Sequence, residues 1–299
     1  MEAVQYSAFG GADVLTLVQS EEPHAGPGQI RIAVRAAGVN GIDWKIRSGF
    51  MGEQQFPVGT GFDAAGVVDE VGSDVHGVSI GDAVFGAGSA TLAEFAVLDA
   101  WASKPESLSF EEAAGYPIPV ETAIRVLNQV GVRTGETLVV SGASGGVGSA
   151  VLQFARDRGI TVIGTASARN HEYLASLGAI PTTYGEGLVE RVRALAPQGV
   201  DAALDLAGSG VIADLIELTG EPSKVLSIAD FSAPELGAQV SSPSGDRGAA
   251  YAEAIRLVEA GTFSIPVGAT FAMAEAAQAH ELSQAGHTTG RIVVTVSAG

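Results

Sequence analysis

A glycine-rich segment at residues 138–149, LVVSGASGGVGS, is the feature that most constrains how this chain can fold. An apolar run precedes the glycines and a helix-forming run follows them, which is typical of the turn between the first strand and first helix of a dinucleotide-binding domain. In such a turn the helix N-terminus presents backbone N–H groups and the positive end of its dipole to a pyrophosphate. Ala143 stands where the GxGxxG fingerprint has its first glycine, so the motif is imperfect and depends on its surroundings for support.

Those surroundings alternate between strand and helix patterns. β-prone segments are predicted at residues 137–141, 161–165, 200–206 and 224–228, with helical segments between them. Such alternation requires a parallel sheet that is covered by helices on both faces. We therefore predict a doubly wound Rossmann domain over residues 119–259.

The first hundred residues follow a different pattern. Apolar and polar residues alternate over residues 29–37, which predicts a strand with one buried face. Further β-prone segments at residues 63–71, 82–87 and 93–98 are separated by turns that contain glycine, so this region is predicted to be β-rich. A β-branched strand at residues 291–296 is expected to rejoin it. The fold class is therefore α/β, with a discontinuous β-rich domain at residues 1–118 and 260–299.

Composition excludes several classes of protein. Asp and Glu outnumber Lys and Arg by 34 to 16, a formal net charge of -18, so the surface repels phosphodiester backbones and anionic lipid headgroups. The chain has no cysteine, which removes disulfides, thiolate catalysis and cysteine-ligated metal sites from consideration. The first residues lack the basic and apolar segments of a secretion signal. We expect a cytoplasmic protein that binds neither nucleic acid nor membranes.

The end of the second predicted strand indicates which cofactor is bound. NAD-binding domains place a carboxylate for the ribose hydroxyls about 20 residues beyond the glycines, but residues 164–169 read GTASAR and contain no acid. Ser167 and Arg169 would instead bind the 2′-phosphate of NADPH. The alternative is that Ser167 caps the next helix and that both residues are merely solvated. The turn expected to contact NADPH consists of Gly142, Ala143, Ser144, Gly145, Gly146 and Val147.

Four motifs in order along the chain carry a family resemblance. They occupy residues 36–49, residues 61–68 together with 81–86, residues 141–148, and residues 287–294. On these motifs the chain resembles the medium-chain dehydrogenase/reductase superfamily and, within it, the zinc-free quinone oxidoreductases related to ζ-crystallin. The resemblance implies a GroES-like β domain in two sequence pieces that flank a Rossmann domain. It also implies a homodimer.

The resemblance implies that no metal is bound. Zinc-dependent members of the superfamily carry a ligand cysteine where this chain has Asn40, and a His-Glu pair where it has Phe62 and Asp63. Without a Lewis acid, the acceptor has to be electrophilic already, as quinones and α,β-unsaturated carbonyl compounds are. The leading prediction is therefore an NADPH-dependent reductase of such small molecules.

Three polar residues of the first domain are the candidates for catalysis. By resemblance Asn40 lies near the substrate, and Lys45 could donate to a developing oxyanion with its charge held by Asp43. The alternative is structural, with Asp43 as the N-cap of a helix over residues 44–48 and Lys45 on its wet face. Phe50 and Phe56 are candidates to line a slot for a flat acceptor, although aromatic residues are more often core.

The resemblance also assigns further cofactor contacts. Thr122 matches a threonine near the nicotinamide carboxamide, and Tyr184 matches a tyrosine beside the adenosine phosphate. The chain at Ala207, Ile228 and Ala229 is expected at the carboxyl edge of the Rossmann sheet, facing the cofactor.

Two other functions remain open from the sequence. One is an enoyl-thioester reductase of the polyketide or fatty-acid type, which should show a basic patch for its carrier. The other is a non-catalytic NADPH-binding protein with a structural or sensor role.

Overall fold

The described residues of a computed structural model, 1–243, 245–286 and 288–297, form fifteen strands and nine α-helices. The strands are β1 (Glu2–Tyr6), β2 (Thr16–Gln19), β3 (Ile30–Val39), β4 (Val58–Gly59), β5 (Asp63–Val71), β6 (Ala83–Gly88), β7 (Phe95–Ser103), β8 (Thr137–Ser141), β9 (Thr161–Thr165), β10 (Ile180–Thr182), β11 (Ala202–Asp205), β12 (Val225–Ser227), β13 (Gln239–Val240), β14 (Val267–Ala272) and β15 (Arg291–Thr295). The helices are α1 (Gly41–Arg47), α2 (Phe110–Ala114), α3 (Pro117–Val130), α4 (Gly146–Asp157), α5 (His171–Ser176), α6 (Leu188–Leu195), α7 (Ile212–Thr219), α8 (Arg247–Glu259) and α9 (Ala276–Ala285). His287, the first residue of the fourth motif, lies outside the described residues.

The chain divides into two compact units. The first unit combines Met1–Ile118 with Arg247–Gly299, and the second is Pro119–Asp246. The sequence boundary at residue 259 falls after α8, whereas the structure groups α8 with the first unit. The reason is packing, because the buried ring of Tyr251 in α8 lies 5.5 Å from that of Phe85 in β6, measured between centroids.

The first unit is built on a six-stranded sheet with the order β14-β15-β3-β5-β6-β7. Since β3 also pairs with β7, four of these strands close into a small barrel. β15 pairs antiparallel with β3, with Ile292 opposite Val39, so the prediction that the last strand rejoins the β-rich domain is confirmed. The core between the strands consists of buried aliphatic side chains such as Ile30, Ile32 and Leu98.

The second unit has a six-stranded sheet with the order β10-β9-β8-β11-β12-β13, and every pair in it is parallel. Its central strands β8 and β11 are almost entirely buried, because helices cover the sheet. The predicted doubly wound Rossmann fold is confirmed. Parallel strands end at a common edge, so the turns after β8, β9, β11 and β12 lie at one side of this sheet.

Across the described residues, no helix combines the length and the apolar composition that crossing a bilayer requires.

Candidate active site

The turn between β8 and α4 has the geometry of a phosphate-binding loop. Gly142 opens it with a φ of +80°, and Gly145 is the N-cap of α4 with extended backbone. A Cβ on Gly148 would lie 2.5 Å from the carbonyl oxygen of Gly142, so this glycine allows α4 to pack directly on the turn. A Cβ on Gly145 would meet nothing closer than 3.7 Å. The first turn of α4 therefore packs tightly against the glycine turn at Gly148, and it leaves open space at Gly145. Open space beside a helix N-terminus is what anion binding requires.

Ala143 occupies the position at which the fingerprint departs from glycine. Its backbone N–H donates to the carbonyl oxygen of Thr165 over 3.1 Å, and its side chain is fully buried. Gly164 makes room for that methyl group, because a Cβ on Gly164 would lie 2.8 Å from the Cβ of Ala143. An alanine here is thus compatible with the turn, since a glycine on the neighbouring strand compensates for it.

Ser167, just after the end of β9, has a buried hydroxyl group. Ser167 stands at the N-cap position of the short 3-10 helix Ala168–Asn170, but its side chain forms no capping bond. Its Oγ is buried and has no hydrogen-bond partner among the described residues. Asn170 Nδ2 donates to Ser144 Oγ over 3.1 Å and so links this segment to the glycine turn. With the exposed Arg169 in the same segment, the unpartnered hydroxyl fits a phosphate oxygen.

Asp205 and Ser227 fix the turns at the ends of β11 and β12. The fully buried Asp205 carboxylate accepts from the backbone N–H of Ala207 over 3.1 Å and of Gly208 over 3.0 Å. Its other oxygen accepts from the Ser227 hydroxyl over 2.8 Å. Ser227 Oγ in turn accepts from the N–H of Ala229 over 3.0 Å and of the next residue over 2.8 Å. Sequence analysis missed Ser227, whose signal is a serine that ends an apolar strand.

The two contacts assigned by resemblance alone have different surroundings. Thr122 in α3 is buried, and its hydroxyl accepts from Arg125 Nη2 over 3.3 Å. The Tyr184 side chain is 58% exposed, just after β10. The structure thus ties Thr122 into a polar network and leaves Tyr184 open to solvent.

In the first unit, Asn40 and Asp43 cap helix α1 together. Asn40 is the N-cap, and Asp43 Oδ2 accepts from the Asn40 backbone N–H over 2.6 Å. The prediction that Asp43 itself begins the helix is wrong, because the helix starts at Gly41 and Asp43 completes a capping box from its first turn. Asp43 is buried, and burial raises its pKa from 3.8 to about 7, with a further rise from the nearby Asp63. Asp43 therefore stabilises the start of α1 and is shielded from solvent.

Asn40 also belongs to a buried polar group with Asp63 and Arg291, which we call the Asn40 cluster. Asn40 Nδ2 donates to Asp63 Oδ2 over 2.9 Å, and Arg291 Nη2 donates to Asn40 Oδ1 over 2.9 Å. Arg291 Nη2 also forms an ion pair with Asp63 Oδ2 at 3.1 Å. Burial raises the pKa of Asp63 to about 6, while Arg291 and Asn40 oppose that rise.

Two members of the Asn40 cluster, Asn40 and Asp63, stand at positions where, by the resemblance, zinc-dependent members of the superfamily carry metal ligands. Within the described ranges, no group of three or more His, Cys, Asp or Glu side chains is arranged to hold a metal ion. Sequence analysis did not single out Arg291, although it is the one charged residue of its strand, RIVVT.

Lys45, Phe50 and Phe56 are more accessible. Lys45 Nζ lies 5.8 Å from the centroid of the Trp44 ring, while Asp43 is turned toward the helix start. Phe56 is 39% exposed and packs edge-on against Phe9, with 5.1 Å between ring centroids. Phe50 is 58% exposed. The first unit therefore presents a half-buried lysine and exposed aromatic rings.

Two family models match parts of the chain. The alcohol dehydrogenase GroES-like domain matches residues 26–103, and the zinc-binding dehydrogenase family matches residues 177–294. The first match lies within the first unit, and the second spans parts of both units.

Individual proteins match over most of the chain. The quinone oxidoreductase of Pseudomonas aeruginosa is 30% identical over 97% of this chain and 98% of its own length. The 2-methylene-furan-3-one reductase of Solanum lycopersicum is 35% identical over 70% of this chain and 58% of its own length. A mycobacterial protein, solved in complex with NADPH, is 26% identical with a TM-score of 0.88 over 99% of this chain and 100% of that one.

Proposed function

Because the chain belongs to the quinone oxidoreductases of the medium-chain dehydrogenase/reductase superfamily, we propose that it reduces quinones or α,β-unsaturated carbonyl compounds with NADPH. The observation that carries this proposal is the open glycine turn beside the buried Ser167 hydroxyl, which has no hydrogen-bond partner in the part of the chain that the structure describes. The relatives support it, because one is named for quinone reduction, one for reduction of an enone, and one was solved with NADPH.

The second unit supplies the residues that would hold NADPH. The N-terminus of α4, with residues 142–147, receives the pyrophosphate through backbone N–H groups and the helix dipole. Ser167 Oγ donates to the 2′-phosphate and Arg169 pairs with it, while Tyr184 flanks the adenosine end. Thr122 and the backbone at Ala207, Ile228 and Ala229 would contact the nicotinamide half of the cofactor. Bound NADPH supplies a hydride from its nicotinamide ring.

The first unit supplies the residues that act on the acceptor. As the acceptor carbon gains a hydride, negative charge develops on the carbonyl oxygen and has to be stabilised. We assign this to the Asn40 amide and to the ammonium group of Lys45. Asp43 acts indirectly, since its carboxyl group fixes the backbone of Asn40 at the start of α1. Phe50 and Phe56 provide apolar surface for a flat acceptor.

The reaction moves two electrons as one hydride. A quinone that gains a hydride and a proton leaves as the hydroquinone, and an enone leaves as the saturated carbonyl compound. Water is a sufficient source of the proton, because the oxyanion formed is basic enough to take one from solvent.

Steady-state NADPH consumption with three acceptors tests the proposal. An ortho-quinone and a 2-alkenal are expected to be reduced, and an enoyl thioester is expected to react much more slowly. Preference for the thioester would instead indicate an enoyl-thioester reductase. Tight NADPH binding without turnover of any acceptor would indicate a non-catalytic binding protein.

We further infer that the protein is a cytoplasmic homodimer. This inference rests on the family resemblance; the Rossmann sheet has two edge strands, β10 and β13, at which a second copy could pair. Light scattering at micromolar concentration is expected to give the mass of a dimer. A monomer under these conditions would contradict this part of the proposal.

A further inference from the structure

We propose that Arg291 is a positioning residue for the reaction, which fixes the Asn40 side-chain amide in one orientation so that its second N–H can donate to the substrate oxygen. This inference rests on the proposed function. It adds a residue of strand β15 to the proposed active site and assigns the Asn40 cluster a role in catalysis as well as in stability.

The topology of the first unit brings the three side chains together. β15, β3 and β5 are neighbours in the sheet, with Val39 opposite Ile292 and Gly38 opposite Asp63. Asn40 directly follows β3, Asp63 begins β5 and Arg291 begins β15. Residues that lie 251 positions apart in the chain are therefore in hydrogen-bond contact.

The chemistry of the two charged partners decides which way the Asn40 amide faces. A guanidinium group can only donate, so the Asn40 atom that faces Arg291 has to be Oδ1. An ionised carboxylate can only accept, so the Asn40 atom that faces Asp63 has to be Nδ2. Rotating the amide by half a turn would place donor against donor and acceptor against acceptor. Both contacts are charge-assisted, which makes the observed orientation the only favourable one.

This orientation leaves one hydrogen of Asn40 Nδ2 unused by the cluster. The two hydrogens of a carboxamide nitrogen point in different, fixed directions, and only one of them is directed at Asp63 Oδ2. With the amide plane fixed, the other hydrogen is fixed as well. A donor that is oriented before the substrate arrives needs no reorganisation when charge develops, which is the condition for effective stabilisation.

The backbone around Arg291 is shaped to admit its long side chain. A Cβ on Gly38 would lie 2.5 Å from the carbonyl oxygen of Ala114 and 2.9 Å from Arg291 Nη2, and a Cβ on Gly115 would lie 2.9 Å from Arg291 Cγ. Gly115 thus leaves room for the Arg291 side chain, and Gly38 leaves room for both the Ala114 backbone and the guanidinium group. Arg291 is buried and its ion-pair partner Asp63 is fully buried, so solvent does not weaken the contacts that hold the amide.

The side-chain amides themselves report this orientation without any enzyme assay. The chain has three asparagines, at positions 40, 128 and 170, so labelling asparagine with nitrogen-15 gives three pairs of side-chain signals. Asn40→Ala identifies the pair of Asn40. In Arg291→Met we expect the Asn40 amide hydrogens to exchange with solvent roughly 10- to 150-fold faster, the equivalent of one hydrogen bond to a charged group. Arg35→Met, which removes a half-buried arginine from β3, is the matched control and should leave them unchanged.

A double-mutant cycle tests whether Arg291 acts through Asn40. With NADPH and an ortho-quinone, Arg291→Met is expected to lower kcat by about 100-fold, as misplacement of a reacting group does, with the Kd of NADPH unchanged. In the Asn40→Ala background the same substitution is expected to change kcat little. An equal loss in both backgrounds, or unchanged Asn40 exchange in Arg291→Met, overturns the proposal.

Failure of the proposed function gives a different result. A wild-type protein that reduces no acceptor would refute the reductase assignment, and the exchange experiment would still decide whether Arg291 fixes the amide. If Arg291→Met does not fold, Arg291→Gln serves for the same two measurements, because it removes the charge and keeps a polar side chain. Wild-type exchange and wild-type kcat in Arg291→Gln would again overturn the proposal.

Discussion

Replacing Asp43 with asparagine should change how stability depends on pH. Burial raises the pKa of Asp43 from 3.8 to about 7 in the folded protein. Between these values the folded protein holds a proton that the unfolded chain has released, so the free energy of unfolding falls as pH rises. The contribution of this carboxyl group is fully present below pH 3.8 and is lost as pH rises through about 7. In Asp43→Asn this titration is absent, while the side-chain oxygen can still accept from the Asn40 N–H.

The size of the effect follows from the pKa. One pH unit corresponds to about 1.4 kcal/mol of unfolding free energy for each proton by which the two states differ. From pH 5 to pH 8 the stability of Asp43→Asn should therefore gain about 3 kcal/mol relative to wild type. The comparison has to be made between variants, because other buried groups also shape the wild-type curve. Burial beside Arg47 lowers the pKa of His280 to about 4, which contributes a slope of opposite sign, and burial raises the pKa of Asp63 to about 6, which contributes a slope of the same sign.

Urea unfolding, followed by circular dichroism at pH 5, 6, 7 and 8, measures this difference. Asp74→Asn is the control for replacing an aspartate with an asparagine, because Asp74 lies exposed in a turn of the same unit. Parallel stability curves for wild type and Asp43→Asn would refute the assignment of a proton to this buried carboxyl group.

Three further substitutions test individual assignments. Arg169→Ala should weaken NADPH binding roughly 10- to 150-fold, as loss of a charge-assisted phosphate contact does, and leave NADH binding almost unchanged; calorimetric titration that shows equal losses for both would remove Arg169 from the phosphate site. Ser227→Ala leaves the N–H of Ala229 and an oxygen of Asp205 unpaired. It should lower the free energy of unfolding by about 1–3 kcal/mol and weaken NADPH binding. Thermal melting and NADPH titration that match wild type would contradict the role of Ser227 in the two turns. Lys45→Met should lower kcat by a factor of about 10²–10³ and leave the Kd of NADPH unchanged. If a deuterium isotope effect shows that hydride transfer limits the rate and kcat is still unchanged, Lys45 has no catalytic role and is only a surface residue of the helix.

Local patterns in the sequence were sufficient to predict most of the architecture. The period-2 alternation before Val39 and the apolar run before Gly142 mark strands that the structure contains at nearly the same bounds. The return of the last strand to the first unit was also predictable, because the β-branched run at residues 291–296 has no partner in the βα alternation. These signals succeed because side-chain periodicity follows directly from backbone geometry.

The parts that depend on contacts distant in sequence were not predictable. The sequence alone suggested Asp43 as the N-cap, because an acidic residue before an apolar one is a common N-cap pattern. Nothing in that local pattern shows that Asn40, three positions earlier, is the N-cap and that Asp43 lies in the first turn. Arg291 and Ser227 each act through a partner more than twenty positions away. Nothing in a local pattern distinguishes a buried, paired polar residue from a solvated one.

Transfer of deuterium from NADPH to a 2-alkenal tests the central claim most directly. NADPH carrying deuterium at one face of the nicotinamide C4 is incubated with the protein and the alkenal, and the saturated aldehyde is analysed by mass spectrometry. The proposed reaction predicts one deuterium in each product molecule from one labelled face and none from the other, because a protein that fixes the ring exposes a single face to the acceptor. Product without deuterium from either form, or with equal labelling from both, would contradict direct hydride transfer at this site.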